Sequence, residues 1–300
     1  MLNLTNKKNY IESGAYQKDL DAFCNAEKIK TGMPWFDDKL KIRKGVYLLG
    51  GLPSVGKTSL FLQLSDQIAE YGTPVLFFSL EQNECDLTNK SLNRIMNKYS
   101  TSREYAFARC LSYVDKISTV TATGIVTIED ICDEIKSYLN NEVKPVIFID
   151  YLQLIHSTKN LSKREEIEYV SQQIINLSKQ YELTIFVLSS LNRANYMSPI
   201  DFESFKESGS LEYDADVVLG LQYQILSNES FLGMSSSDKK RLLLAKEKSK
   251  ETRSLEITCL KNRFGPILDN CKLNYTPSKD LFEENEQKPQ PTNKKSVKVL

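Results

Sequence analysis

Short apolar runs alternate with longer segments of mixed polarity through the first two thirds of the chain. Five runs have the length of strands and are apolar almost throughout: residues 45–50, 74–80, 145–149, 183–188 and 216–221. Among the segments that separate them, residues 58–71, 127–139 and 164–181 carry apolar side chains at helical spacing. Strands that are apolar on both faces and divided by helices are typical of a parallel sheet covered on both sides. The pattern therefore predicts an α/β fold with a mostly parallel central sheet flanked by helices.

The last third of the chain has a closer spacing of apolar segments. Residues 241–245, 255–260 and 267–275 follow one another closely, and the turn sequence RFGP separates the last two. Such spacing predicts antiparallel strands that extend the sheet at one edge.

Both ends of the chain differ from this core. Residues 1–27 contain no strand-like run, and the helical spacing of Tyr16, Leu20 and Phe23 predicts a short docking helix at most. Residues 277–300 are polar and charged, which predicts a disordered tail.

Composition narrows the class of protein without identifying it. At about 150 residues per domain, the length favours two domains, although one large α/β sheet is also compatible. Lys and Arg total 39, equal to the 39 Asp and Glu, which excludes a polybasic binder but leaves room for a local phosphate-binding surface. The six cysteines form no CxxC pair, and no segment resembles a signal peptide or a membrane span. We expect a cytoplasmic protein with reduced thiols.

The sequence GLPSVGKT at residues 51–58 matches the P-loop pattern, and it follows a predicted strand and precedes a predicted helix. In such a loop, backbone N–H groups and the helix N-terminus bind phosphates, the Lys reaches the β- and γ-phosphates, and the Thr hydroxyl helps to hold Mg²⁺. The motif predicts binding of ATP with Mg²⁺. The nucleotide-binding residues expected here are Gly51, Pro53, Ser54, Val55, Gly56, Lys57, Thr58 and Ser59.

Two carboxylates are candidates for the rest of a hydrolytic site. Asp150 ends the apolar run VIFID and is a candidate for the second Mg²⁺ position, since such a site needs a carboxylate at a strand end. Glu81 follows the strand VLFFSL and is a candidate for the base that activates the attacking water. On sequence alone, an ordinary solvated loop residue remains an equal alternative for Glu81.

Several longer motifs extend this pattern. TGMPWFDDKL, GLPSVGKTS, FFSLEQ, VIFIDYLQLI, VLSSLNR, KESGSLEYDAD and KNRFGP occur in this order between residues 31 and 266. In order and spacing they resemble the C-terminal motor domain of DnaB-type replicative helicases, which has a RecA-like fold. The resemblance covers about residues 28–276 and replaces the two-domain expectation with one motor domain. It implies a DNA helicase that hydrolyses ATP between the subunits of a homo-oligomer, expected to be a hexameric ring, with single-stranded DNA as its partner.

The resemblance also implies roles for individual residues. Lys57 and Thr58 would bind phosphate and Mg²⁺, Glu81 would be the catalytic base, and Asp150 would complete the metal site. Arg263 in KNRFGP would be the arginine finger that enters the neighbouring subunit's ATP site, accompanied by Lys261. Taken in isolation, Arg263 would instead be interpreted as a solvated turn residue.

For DNA, the resemblance points to the long loop between residues 193 and 210. Arg193, Lys206, Glu207 and Gly209 would contact the single strand, with Lys206 at a position where the family usually has Arg. Lys keeps the charge and loses the bidentate geometry. A second loop at residues 157–164 offers further basic side chains for DNA contact. A solvated, charged start of a helix explains these side chains equally well.

Two departures from the family pattern keep alternatives open. Ser190 stands where the family usually has a Gln that senses the γ-phosphate, so coupling between hydrolysis and DNA contact is expected to be weaker. The usual N-terminal domain has no counterpart in residues 1–27, which suggests a primase or loader encoded separately. The alternatives are an accessory or recombinase-like ATPase that binds single strands without unwinding, and a nucleotide-gated scaffold with weak hydrolysis.

Overall fold

The structure of the protein is a computed structural model. It describes residues 29–140, 143–192, 196–205, 210–249 and 251–285. The docking helix predicted within residues 1–27 lies outside these ranges. In the part of the chain that is described, no helix is both long and apolar enough to cross a membrane.

A single large sheet forms the centre of the molecule. Within the described ranges, nine strands follow the order β11-β10-β9-β8-β1-β7-β5-β2-β3. Strands β8, β1, β7, β5, β2 and β3 are mutually parallel, whereas β9, β10 and β11 are antiparallel additions at one edge. The predicted α/β architecture with an antiparallel edge is therefore confirmed. The strands are β1 Gly45–Gly51, β2 Val75–Ser79, β3 Ile117–Thr121, β5 Val146–Asp150, β7 Thr184–Ser190, β8 Val217–Tyr223, β9 Arg253–Asn262, β10 Cys271–Thr276 and β11 Leu281–Glu284; two short strands, β4 Val126–Thr127 and β6 Ile155–His156, pair separately.

Helices cover both faces of this sheet, as the uniformly apolar strands require. Along β5, Phe148 packs in a core with helix α1, while its neighbours Ile147 and Ile149 pack in a second core with α4 and α5. The helices are α1 Lys57–Glu70, α2 Glu84–Tyr99, α3 Arg103–Leu111, α4 Ile128–Leu139, α5 Lys163–Tyr181, α6 Leu211–Asp214, α7 Glu229–Leu232 and α8 Ser236–Lys248, and a π-helical turn spans Trp35–Leu40. The apolar pattern did not single out β3, α2 or α3.

One predicted strand is wrong. Residues 241–245 lie inside helix α8, which begins after Ser235, whose hydroxyl accepts a hydrogen bond from the N–H of Asp238. An apolar run as short as Leu242 to Leu244 fits a helix or a strand equally well, and the N-cap decides in favour of the helix.

The predicted boundary of the disordered tail at residue 277 is also wrong. Residues 277–279 form a 3₁₀ turn and Leu281–Glu284 form strand β11, with the side chains of Leu281 and Phe282 buried. The Gln63 amide of helix α1 donates to the carbonyl oxygen of Phe282 and accepts from its N–H, both at 2.9 Å. Two apolar side chains and this pair of hydrogen bonds hold a segment whose polar composition suggested disorder. Residues 286–300 lie outside the described ranges.

Candidate functional site

The carboxyl ends of β1, β2, β5 and β7 meet at one edge of the sheet, where α/β folds form their ligand sites. Gly51, Asp150 and Ser190 end their strands here, and Glu81 follows β2 by two residues. A cleft of about 460 Å³ opens between them. Its lining comprises Pro53, Ser54, Gly56, Lys57, Thr58, Ser59, Glu81, Gln82, Lys90, Asp150, Tyr151, Ser190 and Tyr275.

The loop that follows β1 has the backbone conformation of a phosphate cradle. Ser54 and Gly56 both adopt left-handed conformations, with φ of 56° and 105°. A Cβ at Gly56 would lie 2.7 Å from the Tyr275 ring, so the position admits only glycine. Val55 is fully buried and anchors the loop, and helix α1 begins at Lys57. The free N–H groups of the first helical turn consequently point toward the cleft.

The Lys57 side chain lies folded over this loop. Its ammonium donates to the carbonyl oxygens of Gly51 and Leu52, each at 3.0 Å. Burial lowers the pKa of Lys57 to about 8, and the nearby carboxylates of Asp150 and Glu81 oppose that shift. The charged form of Lys57 is thus held only weakly before an anion arrives.

Thr58 and Asp150 form a pair of oxygen donors in the cleft. The Thr58 hydroxyl donates to Asp150 Oδ2 at 2.6 Å. Burial raises the pKa of Asp150, the Thr58 hydrogen bond opposes this, and the Glu81 carboxylate adds to it. No group of three or more His, Cys, Asp or Glu side chains able to hold a metal occurs in the described residues. A hard cation here would therefore depend on phosphate oxygens together with Thr58 and Asp150.

Glu81 is exposed on the wall of the cleft and close enough to Asp150 and Tyr151 to raise the pKa of each. Lys90 of helix α2 lies on the same wall and donates to the Gln82 side-chain oxygen at 2.7 Å. Lys90 was missed by sequence reasoning, as was Tyr275. The usable sequence signal for Lys90 is the N-cap Asn83, which begins α2 beside Glu81 and places Lys90 two turns further along.

Ser190 lies across from the P-loop strand, in register with Gly51. Its N–H donates to the Gln153 side-chain oxygen at 3.1 Å, and the Gln153 amide nitrogen donates to the Ser189 hydroxyl at 2.9 Å. Gln153, in the 3₁₀ turn after β5, thereby fixes the end of β7 next to Asp150. Sequence reasoning missed Gln153.

Arg263 and Lys261 do not line the cleft of their own chain. Arg263 is 45% exposed and donates to the carbonyl oxygens of Asp214 and Tyr213 at 2.9 and 3.1 Å, and Lys261 also donates to that of Tyr213. Burial and the neighbouring Arg263 lower the pKa of Lys261. The four predicted DNA-contacting residues, Arg193, Lys206, Glu207 and Gly209, lie outside the described residues.

Known proteins resemble the chain both in sequence and in fold. The probable replicative DNA helicase of Trieres chinensis is 26% identical over 225 residues, which cover 69% of this chain and 49% of the relative. The replicative DNA helicase DnaB of Buchnera aphidicola subsp. Baizongia pistaciae is 31% identical over 205 residues, covering 61% and 43%. A solved DnaB-like replicative helicase, whose interactions with primase were studied, superposes with a TM-score of 0.72 at 18% identity and covers 94% of this chain and 67% of that chain.

The chain spans about half the length of the curated relatives that it matches. The family model for the DnaB-like helicase C-terminal domain matches residues 28–284, a range that includes the P-loop, the converging strand ends and strand β11. This range covers nearly all of the described structure, whose fold is RecA-like. The chain belongs to the DnaB-like helicase C-terminal domain family.

Proposed function

We propose that this chain is an ATP-driven motor that moves along single-stranded DNA and separates the duplex during replication. The observation that carries the proposal is the cleft itself, which brings together Lys57, the Thr58–Asp150 pair and Glu81. These groups supply phosphate binding, metal binding and a base within one site. A motor on replicating DNA acts where that DNA lies, and we therefore propose the cytoplasm as its location.

The phosphates of ATP bind to the N–H groups of the P-loop and of the first turn of α1. Lys57 then exchanges its two carbonyl acceptors for phosphate oxygens, which favour its charged form. Tyr275 also lines the cleft, and its hydroxyl donates to the Ser59 hydroxyl at 3.2 Å, which fixes the wall of the cleft beside the first turn of α1.

Thr58 and Asp150 fit Mg²⁺, because both offer hard oxygen ligands at the position where the phosphates enter. When bound, the ion neutralises charge on the phosphate oxygens. Glu81 is exposed and free to orient a water molecule and to accept its proton, and Lys90 lies beside it to bind negative charge that develops on the γ-phosphate.

The arrangement of Arg263 supports a site shared between subunits. Arg263 lies on a different surface from the cleft of its own chain, so it can complete a cleft only in a neighbouring copy. A head-to-tail ring, hexameric as in the implied family, repeats that contact at every interface. We include a primase or loader as a partner of the ring.

ATP turnover with and without single-stranded DNA tests the proposal. Glu81→Gln should lower the DNA-stimulated rate by at least about 100-fold, because the base is lost while phosphate binding remains. Glu84→Gln is the matched control, since Glu84 is exposed three residues away and does not line this cleft. Its rate should equal that of the unchanged protein.

The outcomes separate the remaining functions. Turnover in the unchanged protein no higher than in Lys57→Ala would contradict both enzymatic functions and leave the nucleotide-gated scaffold. DNA-stimulated turnover without separation of a forked duplex would point to the accessory or recombinase-like ATPase.

A further inference from the structure

The middle of the long connection between β7 and β8 rests on two glycines of the central sheet. Gly50 of β1 and Gly220 of β8 are paired in register. A Cβ at Gly220 would lie 2.8 Å from Ile200 Cγ2, and one at Gly50 would lie 2.4 Å from Phe205 Cε1. The absence of side chains on this pair gives Ile200 and Phe205 a flat surface, and both are buried there.

A buried side chain also holds the backbone at this point. Gln222 of β8 is 1% exposed, and its side-chain oxygen accepts the Ile200 N–H at 2.7 Å. The described part of the connection, residues 196–205, is therefore tied to the sheet near its middle by the hydrogen bond from the Ile200 N–H to Gln222 as well as by packing.

Glu256 of the adjacent strand β9 determines which way the Gln222 amide points. Its side chain is also buried, and its Oε1 accepts from Gln222 Nε2 at 2.7 Å and from the Ser227 hydroxyl at 2.5 Å. An ionised carboxylate can only accept hydrogen bonds, so it requires the NH₂ side of the Gln222 amide. The oxygen of that amide must then face Ile200.

We propose that Gln222, oriented by Glu256, is a positioning residue for the DNA-contacting loop. It fixes Ile200, which lies along the chain between Arg193 and Lys206, the predicted DNA contacts on either side. Lys206 is six residues from Ile200 and directly follows the buried Phe205, so the fixed segment limits where the contacts can lie. The role rests on the proposed function, since it presumes that this loop binds single-stranded DNA.

Paired substitutions separate positioning from folding. Gln222→Leu alone leaves the Glu256 carboxylate short of a partner in a buried site and should lower the unfolding temperature. The double variant Gln222→Leu, Glu256→Leu replaces both polar groups with apolar ones of similar size and should recover most of that loss. Ile200 N–H remains without its acceptor in both variants.

The double variant should raise the concentration of single-stranded DNA needed for half-maximal ATPase stimulation by about fivefold or more, the factor expected for one lost hydrogen bond. The rate without DNA should stay unchanged, and hydrogen exchange of the Ile200 amide should accelerate. Gln224→Leu is the control: it removes a hydrogen bond to the Leu255 carbonyl oxygen nearby and leaves Ile200 untouched.

A double variant with unaltered half-saturation and unaltered exchange at Ile200 would overturn the inference. A different result would contradict the proposed function, namely an unchanged protein whose ATPase rate does not respond to single-stranded DNA.

Discussion

At the scale of single residues, Lys57 combines burial with a required charge. The folded protein holds its pKa at about 8, below the ordinary lysine value of 10.5, because burial penalises the ammonium more than Asp150 and Glu81 stabilise it. The nucleotide phosphates act in the opposite direction, since nearby anions favour the charged form. Binding of nucleotide is consequently linked to the protonation of this one side chain.

Nucleotide affinity should fall as the pH rises above about 8. Below that pH Lys57 is already charged in the free protein, whereas above it binding must take up a proton. The dissociation constant should then rise with pH, at a limiting slope of about tenfold per pH unit. Titration with a fluorescent ATP analogue between pH 7 and 9.5 measures the slope.

Lys57→Met provides the control. Its affinity for nucleotide should be weaker at neutral pH and should not change as the pH rises further. An equal slope in both proteins would assign the titration to another group.

The meeting of Lys57, Thr58 and Asp150 in one cleft was predictable from the sequence, whereas their roles there stay predictions. Lys57 and Thr58 follow from the P-loop pattern, and Asp150 follows because parallel strands that carry functional residues end at the same edge. Gln153 and Tyr275 belong to other elements and carry no pattern of their own, and Lys90 is indicated only by the N-cap Asn83 that begins its helix. Their place in the site depends on how α2, the turn after β5 and β10 pack around the cleft.

At the scale of elements, β11 shows how few contacts can order a polar segment. Phe282 stacks on Tyr275 with ring centroids 4.2 Å apart, and the Gln63 amide pairs with the Phe282 backbone. The sequence pattern shows a run of charges around these residues and carries no information about the strand with which they pair. The same limit explains α8, whose short apolar run has no intrinsic preference. The parallel strands were predictable because each is apolar on both faces.

Phe282→Ala should lower the free energy of unfolding by about 3–5 kcal/mol, because it removes a buried ring from a packed pair. Nucleotide affinity should fall too, since the Phe282 and Tyr275 rings both pack against Gly56 of the P-loop. Chemical denaturation and nucleotide titration measure the two effects. Glu283→Ala, on the exposed side of the same strand, should stay within about 0.5 kcal/mol. Equal stability of the two variants would show that β11 contributes little to the fold.

At the scale of the whole molecule, the separation of Arg263 from the cleft makes assembly part of the proposed chemistry. One chain offers a cleft on one surface and a guanidinium on another, and the proposed ring would bring them together at each interface. The chain carries no net charge, which suits a DNA contact made by a few residues and repeated by every subunit.

Mixing Lys57→Ala with Arg263→Ala should restore part of the ATPase activity that each variant lacks alone. A cleft from an Arg263→Ala chain beside the arginine of a Lys57→Ala chain is complete, and random mixing produces about a quarter of such interfaces. Turnover measured across mixing ratios should peak near equal amounts. If the turnover of the mixture never exceeds the summed turnover of the two separate variants, Arg263 serves only its own chain.

The strand order around β1 has a consequence for the path of the connection between β7 and β8. The two strands lie on either side of β1 and run parallel to it, so the connection leaves the carboxyl end of β7, crosses β1 and reaches the amino end of β8. Because these two ends lie at opposite edges of the sheet, the connection must span about 20 Å along the strands whatever its sequence. Insertions would lengthen it without moving either strand. The proposed contact with DNA can therefore vary in evolution while the strand ends that form the nucleotide cleft stay in place.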